Sequence, residues 1–169
     1  MKPCKLNQIY FHKLKQLCFR HEIADRLNIK GNNGLVDLVG FSELRTIGGF
    51  LFVEQNDALT SLEGLGRLES VGEYLYVDSN TELGDLDALS SLKNVGGDLL
   101  IGNNVALTQI DGLSNISSVG GFLRIAFNDL LANLDGLSSL ETVGDYVMIE
   151  ANIALENVDG LIGLVHVPG

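Results

Sequence analysis

The strongest constraint in this sequence is a repeat of 24 residues that recurs without gaps. Five units align directly, and stepping back by the same interval gives a sixth that keeps the apolar positions and loses the glycine pair. Their shared pattern is V-G-G-x-L-x-V-x-x-N-x-x-L-x-x-L-D-G-L-x-x-L-x-S. Such self-similarity predicts a solenoid in which each unit forms one coil and buries its apolar side against its neighbours. The units begin at Ile23, Ile47, Val71, Val95, Val119 and Val143.

The composition of each unit favours β structure over paired helices. Glycines at three fixed places per unit would break the long helical stretches that a helical hairpin repeat needs. The L-x-V segment, as in residues 51–53, alternates with period two and predicts a short strand. Apolar residues spaced by three, such as Leu59 and Leu62, predict a turn-rich or 3₁₀-like side. The pair Gly48-Gly49 and its equivalents predict a tight turn with positive φ before the strand.

Two polar columns accompany the apolar ones. The first follows the strand, where stacked asparagine amides can bond to the backbone and to one another along the solenoid axis. We therefore predict a structural asparagine ladder formed by Asn32, Asn56, Asn80, Asn104, Asn128 and Asn152. The second column is acidic, and we expect each acid to be held by the N-cap or Asx-turn donors of its own turn, with a cation ladder as the alternative. Its members are Glu63, Asp87, Asp111, Asp135 and Asp159.

The run L-x-x-V-G-G-x-L-x-I-x-x-N-x-x-L-x-x-L-x-G-L resembles the receptor L-domain family, a leucine-rich-repeat-like β-helix repeat of growth-factor receptor ectodomains and bacterial surface proteins. The resemblance covers residues 23–166. It implies a mainly β fold, a right-handed β-solenoid that here has six 24-residue coils. It also implies placement outside the cell or on its surface, and no shared catalytic residues.

The two ends depart from the repeat. Residues 1–22 form a basic segment, and apolar residues at helical spacing predict an amphipathic α-helix over residues 4–20 that caps the first coil, with a decayed coil as the alternative. Residues 167–169 begin a seventh unit and stop, so we expect an uncapped C-terminal end that is truncated or forms a homodimer. Cys4 and Cys18 are interpreted as free thiols, because the predicted helix separates them by about 21 Å. A disulfide between them would require a loop instead.

Charge is unevenly distributed along the chain. Residues 1–30 carry seven of the eleven Lys and Arg residues and two acids, whereas residues 31–169 carry the other four and twenty acids, a net charge of −16. The strongly negative charge of residues 31–169 disfavours nucleic acid and anionic membranes as partners. No apolar run approaches the ~20 residues that a membrane span needs. The N-terminus also lacks the apolar core of a signal peptide, so the compartment is indicated by the resemblance alone.

The alternation of the L-x-V strand predicts which side chains face outward. Six of the eight aromatic residues after residue 22 fall in the two outward columns. An exposed aromatic stripe is typical of binding surfaces, whereas cross-strand packing or cover from another chain is the structural alternative. We predict a binding face for a protein or carbohydrate partner. Its residues are Phe50, Phe52, Tyr74, Tyr76, Leu100, Phe122, Arg124, Tyr146 and Met148.

Catalysis finds little support in the sequence. His12 and His21 lie near one end and His166 near the other, about 29 Å apart at strand spacing, so they cannot share a site. No nucleophile pair, metal-ligand spacing or phosphate-binding loop is recognisable, and we expect no cofactor. We therefore predict a non-enzymatic binding module. A passive or self-assembling surface repeat is the main alternative, and a polysaccharide-active β-helix enzyme is the minor one.

Overall fold

The chain folds into a β-solenoid of stacked parallel coils, described for residues 21–168 by a computed structural model. Each coil contributes one strand to each of two parallel six-stranded sheets. The short-strand sheet contains, in order, β1 (Glu22–Ile23), β3 (Thr46–Ile47), β5 (Ser70–Val71), β7 (Asn94–Val95), β9 (Ser118–Val119) and β11 (Thr142–Val143). The long-strand sheet contains, in order, β2 (Leu27–Lys30), β4 (Leu51–Glu54), β6 (Leu75–Asp78), β8 (Leu99–Gly102), β10 (Leu123–Ala126) and β12 (Val147–Glu150).

The strand register repeats the sequence period. Leu51 pairs with Leu75 and Tyr76 pairs with Leu100, so each partner lies 24 residues further along the chain. A column in the sequence alignment is therefore a row of neighbouring side chains in space. Along each long strand the side chains alternate: Leu51 and Val53 are fully buried, whereas Phe52 between them faces outward and is partly exposed.

The core is a continuous stack of aliphatic columns. On the turn side, Leu59, Leu62, Leu65 and Leu68 have no exposed surface. The spacing of three that predicted a 3₁₀-like side corresponds to short 3₁₀ helices in most coils. Burying one such leucine contributes roughly 1.5–3 kcal/mol, so the coils stack chiefly through these columns. The 3₁₀ helices are Val39–Phe41, Asp87–Leu89, Asp111–Leu113, Asp135–Leu137 and Asp159–Leu161.

The glycine pairs allow close approach between coils, and the predicted positive φ at these positions is wrong. Neither Gly48 nor Gly120 has positive φ. A Cβ placed on Gly120 would instead overlap the backbone carbonyl oxygen of Gly96 in the preceding coil. Positive φ occurs at Gly64 and in the column that immediately precedes the asparagines. That column comprises Gly31, Gln55, Ser79, Asn103, Phe127 and Ala151.

The acidic column is not held by capping donors of its own turn, which corrects the prediction. Asp87 opens a 3₁₀ helix and is exposed. Its backbone N–H donates to the Oδ1 atom of Asp85 at 3.0 Å, so the capping side chain lies two residues upstream of the acid. Equivalent acceptors are the side chains of Asp37, Ser61, Gln109, Asn133 and Asn157. The column therefore stays in water, where repulsion between stacked carboxylates is weakest.

Several predictions concerning the ends lie beyond this description. The capping helix over residues 4–20, with Cys4, Cys18 and His12, falls outside residues 21–168. At the other end, Val147 and Ile149 are only partly buried, whereas their equivalents Leu123 and Ile125 are fully buried. The homodimer through this end stays a prediction. Within residues 21–168, no helix combines the length and the apolar composition needed to cross a bilayer.

Replacing a glycine at the closest approach should separate two coils. We expect Gly120→Ala to lower the free energy of unfolding by about 1–3 kcal/mol, because the new methyl group overlaps the Gly96 carbonyl oxygen. Gly84→Ala is the matched control, since nothing lies within 4 Å of the Cβ position there, and it should change stability by about 0.5 kcal/mol or less. Urea unfolding followed by circular dichroism measures both. Equal stability of the two variants contradicts the proposed close packing.

Candidate recognition face

The nine predicted binding residues lie together on the outward surface of the long-strand sheet. One group occupies the second position of the five long strands from β4 to β12, where the register places each residue directly above the next; it comprises Phe52, Tyr76, Leu100, Arg124 and Met148. The other group immediately precedes the strands and comprises Phe50, Tyr74, Phe122 and Tyr146. We call the surface formed by these nine residues the aromatic face. The structure thus brings together all the residues that the strand alternation selected.

The aromatic face presents a substantial apolar surface to water. Tyr74, Tyr146 and Met148 are 40%, 41% and 39% exposed, respectively. The other six residues of the face are partly buried, because neighbouring side chains cover one another. Exposed apolar groups of this size, gathered on one sheet, are unusual for a surface that contacts only solvent.

The aromatic rings form two stacks that run along the solenoid axis. In the first stack, the ring centroids of Phe50 and Phe52 are 4.1 Å apart, and those of Phe52 and Tyr76 are 4.8 Å apart with an interplanar angle of 8°. In the second, Phe122 and Tyr146 lie 5.1 Å apart at 15°. Nearly parallel rings at these separations overlap face to face. Within the stacks, the facing surfaces of Phe50, Phe52 and Tyr76, and those of Phe122 and Tyr146, therefore cover one another.

The fourth coil interrupts the rings with Asp98 and Leu100. The Oδ1 atom of Asp98 accepts a hydrogen bond from the backbone N–H of Phe122 at 3.1 Å, and its Oδ2 atom accepts one from the Tyr76 hydroxyl at 3.3 Å. The rings of Tyr76 and Phe122 approach to 6.4 Å across this coil. Asp98 therefore connects the two stacks and fixes their relative position.

Burial, followed by the charge of Asp98 and its hydrogen bond, raises the pKa of the Tyr76 hydroxyl to about 12. The hydroxyl is consequently protonated at neutral pH and remains the donor of the bond to Asp98. The hydrogen bond that joins the stacks thus persists over the whole physiological pH range.

Two glycines make room for this arrangement. A Cβ on Gly97 would lie 2.9 Å from the ring of Tyr74, and a Cβ on Gly121 would overlap the carboxylate of Asp98. Sequence reasoning assigned both glycines to a turn and gave no role to Asp98. The available signal was that Asp98 is the single acid in a column otherwise made of aromatic residues and Arg26.

The basic residues around the aromatic face already contact an acid or a ring, whereas two nearby acids accept hydrogen bonds from neutral donors only. Lys30 Nζ lies 2.8 Å from Glu54 Oε2, and this hydrogen bond and charge raise the pKa of the lysine. Arg124 binds Glu150 through Nε at 3.0 Å and Nη2 at 2.6 Å. The guanidinium of Arg26 lies 5.6 Å from the centroid of the Phe50 ring.

Asp78 and Asp98 complete the charge pattern. Asp78 accepts hydrogen bonds from the Ser79 hydroxyl at 2.7 Å and from Asn103 Nδ2 at 2.9 Å. Among residues 21–168, neither Asp78 nor Asp98 forms an ion pair. The aromatic face therefore carries uncompensated negative charge around an apolar centre.

The predicted ladder asparagines lie behind the sheet, where they bond to one another. Asn80 is fully buried, and its Nδ2 atom donates to Val53 O at 2.9 Å and to Asn104 Oδ1 at 3.3 Å. Its Oδ1 atom accepts the backbone N–H of Asn56 at 3.2 Å. The same bonds recur along the column, with partial burial of Asn32 and Asn152 at its ends. These residues face away from any ligand on the aromatic face.

Residues 21–168 contain no group of three or more His, Cys, Asp and Glu side chains placed to hold a metal ion. The two histidines described lie just before the first coil and at the end of the last, where His21 Nδ1 is 3.0 Å from Glu43 O and His166 forms a bridge with Thr142. The arrangement around the aromatic face offers apolar contact, ring edges and carboxylates.

Comparisons with known proteins identify no relative: no known protein family, curated protein or solved structure matches the chain. The β-solenoid architecture rests on the two parallel sheets and their 24-residue register. The finer resemblance to receptor L-domains rests on the pattern of the repeat.

Removing one ladder amide should leave buried backbone groups without partners. We expect Asn80→Ala to lower the free energy of unfolding by roughly 3 kcal/mol, because Val53 O and the Asn56 N–H each lose a hydrogen bond inside the core. Asn33→Ala, at an exposed position one residue beyond the column, is the control and should be nearly neutral. Chemical denaturation measures both, and a neutral Asn80→Ala variant argues against the ladder as a stabilising element.

The raised pKa of Tyr76 should be visible at high pH. Because the folded state holds this pKa near 12, above its ordinary value of 10, the hydroxyl stabilises the fold below pH 10 and this contribution is lost as pH rises from 10 to 12. Stability should therefore fall more steeply in this window for the wild type than for Tyr76→Phe. Phenolate absorbance should show a late titration step that is absent in Tyr76→Phe and present in Tyr74→Phe. A wild-type titration without a late step refutes the assignment.

Proposed function

We propose that this chain is a non-enzymatic recognition module of the receptor L-domain type, which binds a protein partner through the aromatic face. The observation that carries the proposal is the set of partly exposed aromatic side chains between Phe50 and Tyr146, which occupies four of five consecutive coils. The resemblance of the repeat to L-domains favours a role outside the cell or on its surface. Aromatic residues, Met and Arg are also the types enriched at protein interfaces.

The aromatic face is ordered before a partner arrives. The stacked rings support one another, and the bonds of Asp98 to Tyr76 and Phe122 fix both stacks relative to the sheet. Side chains that are already immobilised lose little conformational entropy on binding. Stacked aromatic residues on a rigid sheet therefore favour tight association over a modest contact area.

The charge pattern favours a basic partner. Asp78 and Asp98 have only neutral donors, and the nearby acids Glu73 and Asp145 are exposed. A protein that places Lys or Arg side chains around an apolar centre would complement this surface, and its association would be accelerated by long-range attraction. Binding should accordingly weaken as salt screens the charges.

The geometry of the rings favours a protein over a carbohydrate. Sugar rings stack on the faces of aromatic side chains, but here the faces of Phe52 and Tyr76 are covered by each other and that of Phe50 by the guanidinium of Arg26. Ring edges and aliphatic side chains such as Met148 remain for contact. These groups suit the mixed apolar and charged surface of a protein.

The same stacking is the observation that favours the rival function, a passive structural repeat in which the rings only stabilise the sheet. The two functions differ in what happens when the most exposed side chains are removed. A recognition face loses its partner and keeps its fold, whereas a structural stack loses stability.

The test combines three substitutions on the aromatic face: Tyr74→Ser, Tyr146→Ser and Met148→Ser. Immobilised chain is probed with a panel of extracellular proteins spanning a range of net charge and, separately, with a glycan array. We expect the strongest binders to be basic proteins, with affinity at least tenfold lower for the triple variant and an unchanged unfolding midpoint.

The matched control is Val36→Ser/Val39→Ser, which removes two similarly exposed side chains in the first coil and should leave binding intact. A triple variant that binds as well as the wild type contradicts the proposal. Loss of stability in the triple variant favours the passive role. Selective glycan binding would show that the partner is a carbohydrate and not a protein.

A further inference from the structure

A second apolar surface lies at the corner that follows the long-strand sheet in the fourth to sixth coils. Val105, Phe127, Leu130 and Ile153 are 45%, 44%, 53% and 82% exposed. Val105 and Ile153 occupy one column with Asp129 between them, and Phe127 and Leu130 flank Asp129 along the chain. The four apolar residues therefore lie within two coil spacings, roughly 10 Å. We call them the corner patch.

The repeat itself does not require apolar residues at these positions. The equivalents of Phe127 are small or polar, the column of Leu130 contains Glu82, and the column of Val105 and Ile153 contains Asp57 and Thr81. Those coils stack in the same register and have equally buried cores. The corner patch is therefore a local departure toward exposed apolar side chains, which the packing of the solenoid does not explain.

Phe127 occupies a backbone conformation that disfavours its side chain. Its φ is 58°, in the left-handed region that glycine and asparagine adopt most readily. The other coils place Gly31 and Asn103 at equivalent positions, and the Phe127 N–H is held by Glu150 O at 3.2 Å. A bulky ring that is kept in a strained backbone conformation and is still 44% exposed indicates a role outside the fold of the chain.

We infer that the corner patch docks a protein segment that presents apolar side chains flanked by Lys or Arg. The charge of this half of the molecule argues for that chemistry: residues 95–166 contain nine acids and one basic residue, Arg124, which is ion-paired with Glu150. Asp129, at the centre of the patch, forms no ion pair among residues 21–168. An amphipathic basic helix satisfies both the apolar side chains and this carboxylate. The site lies beside the aromatic face and goes beyond the function proposed for it.

The probe is a synthetic amphipathic helical peptide built from leucine and lysine, titrated into the isotopically labelled full chain. We expect nuclear magnetic resonance shift changes centred on the methyl groups of Val105, Leu130 and Ile153. The double variant Phe127→Asn/Leu130→Ser should bind the peptide at least tenfold more weakly. Two further peptides, with serine in place of leucine or glutamate in place of lysine, should lose binding to a similar extent.

Two controls separate this inference from the function proposed for the aromatic face. The variant Val36→Ser/Val39→Ser should retain peptide affinity. In Tyr74→Ser/Tyr146→Ser the shift changes of Val105, Leu130 and Ile153 should persist even if the peptide also contacts the aromatic face, so failure of either proposal can be recognised independently. Phe127→Asn should keep the melting temperature or raise it by roughly 2–4 °C, because asparagine tolerates the positive φ that the position imposes.

Three outcomes overturn the inference. If the serine peptide binds as tightly as the leucine peptide, charge alone attracts the peptide. If the Phe127→Asn/Leu130→Ser variant binds the leucine peptide as tightly as the wild type, the contact lies elsewhere. A marked fall in the melting temperature of Phe127→Asn shows that the ring packs within the chain. Binding of the wild type to zwitterionic lipid vesicles in preference to the peptide indicates a membrane surface instead.

Discussion

The buried asparagine column holds the coils in register, and the rest of the structure depends on that register. Each amide links the backbone of its own turn to that of a neighbouring coil, as Asn80 does with Val53 O, Asn56 N and Asn104 Oδ1. Polar groups without partners are costly inside an aliphatic core. A slip of one residue would break every bond in the column at once. The ladder therefore penalises any register other than 24 residues.

A fixed register turns sequence columns into surfaces. Because each outward residue lies above its equivalent, changes in single coils can build a local feature without disturbing the stack. The fourth coil does this with Asp98, which joins the two ring stacks, and with Gly97, which gives Tyr74 room. The fifth coil does it with Phe127, whose backbone conformation is disfavoured for an aromatic residue. The solenoid supplies a rigid frame, and the residues that differ from the repeat pattern give each coil its own surface chemistry.

The period and the alternation were enough to predict the L-x-V strand of each coil, the 3₁₀-like side and the outward direction of residues such as Phe52. The two-residue strands of the short-strand sheet were not predicted. The roles of the glycines were not predictable in the same way, because the overlap of Gly120 with Gly96 O depends on the distance between coils. Positive φ at Gln55 or Phe127 leaves no signature in residue type. The caps of the 3₁₀ helices were assigned to the wrong residue, since Asp85 and not Asp87 accepts the capping bond. The predictions that failed concern the glycine contacts between coils and the local backbone geometry.

The exchange rate of the asparagine side-chain amide protons tests the register most directly. In uniformly labelled protein, the Nδ2 protons of Asn56, Asn80, Asn104 and Asn128 should exchange with solvent slowly and together, as buried donors bonded between coils. The Nδ2 protons of the exposed residue Asn33 should exchange at the rate of a free side chain. Equally fast exchange of all these amides would show that the column is not a continuous buried ladder, and the surfaces derived from it would no longer follow.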